Sequence, residues 1–158
     1  MSIRSHIVAA TLLLASLAAS AAEPPGDLCS LLTAGDVSTA AGKGYDSVSK
    51  SVAPRPFPNT AQGTDCTYTN SKNSAQGQLL LRVYVDPSTK EASDLFTRLG
   101  RWFSPQTPVS GIGDQAYLDS AHGLHVLKGK ARFFLELDAG APNDKAVESL
   151  GREVAGKL

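Results

Sequence analysis

Two cysteines, Cys29 and Cys66, follow what reads as an export leader, and that combination constrains the fold more than any other feature of the chain. Arg4 gives the leader a positive start, and 7–18 is a run of apolar and small residues. Ala19-Ser20-Ala21 or Ser20-Ala21-Ala22 then offers small residues for cleavage. The run is shorter than the ~20 residues that a membrane-spanning helix needs, and Glu23-Pro24-Pro25-Gly26 stops it. Residues 1–22 are therefore read as a signal peptide and 23–158 as one domain, periplasmic or secreted, with no membrane insertion after cleavage. Cys29 is not expected to carry a lipid, because Asp27 and Leu28 stand where small residues belong. In an oxidising compartment the two cysteines pair and close a loop of 37 residues (66 − 29), which contributes about 3–4 kcal/mol. A catalytic thiol is the competing role for Cys29, but the mature histidines lie far along the chain.

Charge narrows the function classes. The chain carries 15 Lys+Arg against 15 Asp+Glu, and removing the leader takes Arg4 with it, leaving 14 against 15. A nucleic-acid binder shows a basic footprint that is missing from this balance. Neither Cys-x-x-Cys nor a His/Cys cluster is present, so no metal site or cofactor is expected.

Periodicity gives the elements. Asp27 is placed to cap a short helix through Leu31 and Leu32, and Thr33 with Asp36 resembles a capping box before Val37, Ala40 and Ala41. Residues 45–52 read as an edge strand. Pro54, Pro56 and Pro58 then forbid a ladder and make 53–59 an extended, mobile loop. Residues 65–69 and 78–85 read as strands, the second with Leu79, Leu81, Val83 and Val85 on one face. Residues 88–103 form the clearest helix, its stripe Ala92, Leu95, Phe96, Leu99, Trp102 and Phe103. Residues 124–128 and 131–137 read as a hairpin about Gly129-Lys130, and a last helix carries Ala146, Leu150, Val154 and Leu158. Asp65–Tyr68 aligns with Asp114–Tyr117, as in a duplicated half. The expected fold is α+β: an antiparallel sheet, in two pseudo-repeated halves, with its helices packed on one face.

Cys29–Val37, the glycine after that helix and Cys66-Thr67-Tyr68 in a strand resemble uncharacterised exported bacterial domains. Similar patterns occur in actinobacterial lipoproteins and in extracellular sensor domains of receptor kinases. Val109–Tyr117 and Gly123–Gly129 resemble the second half of such domains. The resemblance implies an α+β fold with a helix-to-strand disulfide, and it implies no activity.

Chemistry is sparse. Gly42-Lys43-Gly44 lacks the spacing of a phosphate loop, and Gly111-Ile112-Gly113 reads as a bend entering a strand. His122 and His125 are the mature histidines, the first in a turn and the second on a strand face. Either can act as an acid–base group beside Asp114 or Asp119. Glu136 and Asp138 share a strand face and read as solvated. Phe57, Trp102, Phe103 and Tyr45 are candidates for a binding groove, although Trp102 and Phe103 also fit the buried stripe of their helix. Phe57 is expected to stand exposed in the proline loop as an interaction point. The function expected is a binding or interaction module: a protein-partner, inhibitor or immunity-type protein, or a small-ligand binder. The alternative is a secreted hydrolase using His125 or His122 with an acidic neighbour.

Overall fold

A computed structural model describes residues 24–138 and 143–158, so the expected signal peptide lies outside the described residues. Asp27 accepts a hydrogen bond from the Cys29 N–H and opens a 3-10 turn, Leu28–Leu31. Thr33 and Asp36 cap α1 (Ala34–Ala41) reciprocally, each side chain accepting from the other's N–H. Gly42 ends α1 at a φ of 65°, a left-handed conformation that glycine adopts without Cβ strain.

Seven strands follow: β1 (Ser47–Ala53), β2 (Gly63–Thr69), β3 (Gln78–Val85), β4 (Thr107–Pro108), β5 (Gln115–Leu118), β6 (Leu124–Lys128) and β7 (Ala131–Asp138). They form one antiparallel sheet in the order β1-β2-β3-β7-β6-β5-β4, so the α+β class and the antiparallel sheet are as the sequence implied. The chain lays down two meanders that meet at a central seam between β3 and β7. The segments that align in sequence do not correspond across that seam. Asp65–Tyr68 lies on β2, next to the seam strand of its half, whereas Gln115–Tyr117 lies on β5, one strand further out.

Side chains alternate between faces, and the register sorts them. One row runs Cys66–Leu81–Leu135–Leu124–Leu118 across five strands. It is buried together with Leu31 and Leu32, Val37 of α1, and Val147, Leu150 and Val154 of α3 (Asp144–Lys157). The disulfide Cys29–Cys66, with Cα atoms 5.5 Å apart, fastens the 3-10 turn to β2 beneath this layer. Tyr68 reinforces it, its hydroxyl donating to the carbonyls of Cys29 and Leu32.

The third helix corrects the expectation that all helices share one face. α2 (Thr89–Gly100) packs Ala92 and Phe96 against Tyr117 and Leu127, which point to the other side of the sheet. The connection from β3 to β4 has to cross β7, β6 and β5, and α1 with α3 already fills the first face. α2 also stops at Gly100 rather than near 103. The chain tightens there: the Trp102 and Phe103 N–H groups donate to the carbonyls of Leu99 and Gly100, and the Gln106 side-chain amide also donates to Gly100. Pro105 has no N–H to continue the helix. Trp102 and Phe103 therefore leave the helical stripe.

Candidate functional site

A second register row lies on the face under α2: Asp65–Arg82–Phe134–His125–Tyr117, one residue from each of five strands. Four of these residues, Arg82, Phe134, His125 and Tyr117, floor a groove of about 330 Å³, and Asp65 lies beside them outside its lining. Phe96 and Leu99 of α2 form one wall, Pro54 and Pro56 of the proline loop form another, and Trp102 and Phe103 stand at the helix end.

His125 sits among rings. Tyr117 stacks on it with centroids 4.6 Å apart and planes 14° apart, while Phe103 and Phe134 approach at 4.6 and 4.7 Å in tilted contacts. Its Nε2 lies 2.9 Å from Oδ2 of Asp119. Burial holds the imidazole below its usual pKa of 6.5, outweighing the opposing pull of the Asp119 carboxylate. Asp119 is thus the acidic neighbour of His125, while Asp114 turns away to accept from the Gly129 N–H. His122 occupies a turn at a φ of 64° and bonds Asp144 at 2.8 Å, apart from the groove lining. The two histidines therefore do not form one site.

The floor carries its charges in pairs. Arg82 makes two bonds to Asp65, at 2.7 and 2.8 Å. Arg132 makes two to Asp86, at 2.5 and 3.1 Å, and this second pair is almost wholly buried. Neither sequence position signalled these pairs, because the partners in the second lie 46 residues apart. The phenol of Tyr117 is pushed up to about 12, mainly by burial, and its hydroxyl has no hydrogen-bond partner among the described residues. It remains protonated through the neutral range.

The proline loop corrects two expectations. It is neither extended nor free of the body: it turns back on itself between Phe57 and Thr60, and Tyr84 donates a 2.7 Å bond to the Pro54 carbonyl. Phe57 is 8% exposed rather than presented to solvent. Its ring lies 4.9 Å from that of Trp102, and the Arg98 guanidinium sits 3.7 Å above it. Trp102 is instead 63% exposed and Phe103 37%, so neither joins the core that the helical stripe suggested. Tyr45 packs on the opposite face, within the core under α1 and α3. Of the candidate binding residues, Trp102, Phe103 and His125 line the groove, Phe57 supports its rim, and His122 lies elsewhere.

Arg82, Tyr84, Tyr117, Arg132 and Phe134 are groove residues that sequence reasoning missed. The alternation Arg132-Phe133-Phe134 did hold a usable signal, since it sends Arg132 and Phe134 to the same face. Among the described residues no three His, Cys, Asp or Glu side chains gather as a metal site requires. No helix among them is long and apolar enough to cross a membrane. No protein-family model matches the chain, and no curated protein matches it significantly.

Proposed function

We propose that the protein is an exported binding module that receives an apolar group of a small ligand in the groove under α2. The observation that carries this reading is the placement of two large aromatic side chains, Trp102 and Phe103, in solvent at the lip of a concavity floored by further rings. Exposed aromatic surface around a concave apolar site is typical of ligand recognition. The Cys29–Cys66 bridge supports an oxidising compartment. Trp102 is the sole tryptophan of the chain and sits on the site, so its emission reports occupancy directly. Titration of the purified protein with small aromatic and aliphatic compounds should shift or quench that emission saturably, and Phe103→Ala should weaken the response. A panel that leaves Trp102 emission unchanged at millimolar ligand removes the reading.

The His125–Asp119 contact favours a second reading, a hydrolase with His125 as general base. Among the described residues no serine, threonine or cysteine lines the groove, so such an enzyme would activate water rather than a side-chain nucleophile. Turnover of activated esters that disappears in His125→Ala would support it. Equal background rates for both proteins would exclude it.

A further inference from the structure

The charge inventory of the groove is one-sided. Among the described residues three arginines line it, and no aspartate or glutamate does. Arg82 and Arg132 are each held by two bonds to a carboxylate of their own. Arg55 is different. It bonds only the Thr60 carbonyl, at 3.1 Å, and has no carboxylate partner among the described residues. Arg98 likewise has an aromatic face beneath it and no acidic partner there. Both belong to the collar around Phe57: Arg98 covers its ring, and Arg55 lies two residues before it on the same loop. Both arginines are exposed, so the rim carries positive charge that no carboxylate of the described residues neutralises, and its pull on an anion is screened by salt.

We propose that the groove's ligand is a small organic anion: an apolar ring system bearing one acidic group, a carboxylate or sulfonate. This rests on the binding reading above. The rings would lie among Phe103, Phe134 and Trp102, and the acidic group would meet Arg55, which lines the groove, with Arg98 adding its charge from over Phe57, outside the lining. A volume of about 330 Å³ is at the small end of ligand sites, which suits a ligand of one or two linked rings rather than a long peptide. Arginine suits the anion because its planar donors match both oxygens of an acidic group. Cationic ligands of the same shape would meet uncompensated positive charge and be rejected.

Two probes with the same ring system separate the claims: 8-anilinonaphthalene-1-sulfonate, which is anionic, and N-phenyl-1-naphthylamine, which lacks the sulfonate. Energy transfer from Trp102 to either dye reports binding near the groove. The sulfonate should bind on the order of tenfold more tightly at low salt, a difference that shrinks as salt rises. Arg55→Gln and Arg98→Gln should each reduce that preference and together abolish it. The far-ultraviolet circular dichroism should stay unchanged, and affinity for the neutral dye should fall by less than affinity for the sulfonate. Phe103→Ala should weaken both dyes. Equal affinities, unaffected by the arginine substitutions, would overturn the anion proposal and leave the groove reading intact. Binding of neither dye, with no energy transfer, would overturn both.

Discussion

Nε2 of His125 lies 2.9 Å from Oδ2 of Asp119, and this contact ties the floor of the groove to the turn that feeds β6. The other oxygen of Asp119 accepts from the N–H groups of Ala121 and Gly123, at 2.8 and 2.9 Å. One buried carboxylate thus shapes the turn backbone and orients the imidazole at the same time. A ring that is stacked, hydrogen-bonded and buried has a defined position against any ligand that enters.

The titration of His125 gives the first prediction. Its folded pKa lies below the unfolded 6.5, so the folded state favours the neutral ring. The unfolded chain then binds more protons, and the contribution is complete above about 6.5 and lost as pH falls from there toward the lowered folded value. The thermal midpoint should drop between pH 7 and pH 5, and His125→Phe should flatten that stretch. Asp27, Asp36 and Asp46 are held below 3.8, chiefly by bonds from Lys50, Thr33 and Ser71 respectively, so their contributions are lost only in more acid solution. An equally steep fall in the variant would place the acid sensitivity elsewhere.

Removal of the disulfide should destabilise without changing the sheet. Cys29→Ala with Cys66→Ala is expected to cost about 3–4 kcal/mol by urea unfolding, from restored freedom of the 37-residue loop. The reduced wild-type protein should show a similar loss, because reduction frees the same loop. A cost below about 1 kcal/mol would mean that native strain cancels the loop term.

Arg132 and Asp86 are coupled in a nearly dry setting. Arg132→Met alone should cost about 3–5 kcal/mol, because it leaves the Asp86 carboxylate buried without its counter-charge. Asp86→Leu combined with Arg132→Met should cost clearly less than the two single changes added together. A strictly additive result in the double-mutant cycle would show that the pair does not act as a unit.

Gly63 supports the groove from below the loop. A Cβ at this position would stand 2.6 Å from the Tyr84 ring and 2.8 Å from the Val83 carbonyl oxygen. The ring can turn, but a ladder carbonyl cannot. Gly63→Ala should therefore cost about 1–3 kcal/mol and disturb the Tyr84 bond to Pro54. The Trp102 binding response should weaken in the same variant. Unchanged stability and response would show that the backbone yields freely here.

Local rules made much of this architecture legible. The Thr33–Asp36 box, the Gly42 stop, the alternation of Leu79, Leu81 and Val83, and the hairpin about Gly129 are all decided within a few residues. What escaped depends on distant partners. The opposite placement of α2 follows from β4 lying at the far edge of the sheet, and no residue in 89–100 encodes that address. Phe57 is covered because Trp102, 45 residues later (102 − 57), swings out of α2 to meet it. The site was half visible for the same reason. Its rim aromatics stood out as residue types, whereas its floor depends on the register of β3 against β7.

That central seam pairs Gln78 with Asp138 and Val85 with Ala131. A chain emerging from its N-terminus completes β1, β2 and β3, cysteines included, long before β7 exists. Throughout that interval the apolar strand Gln78–Val85 waits with one row of amides and carbonyls unclaimed, a template for any stray strand. The last strand to arrive is thus the one that belongs in the middle. Shortening the protein to before residue 131 would split the sheet along its centre rather than trim its rim.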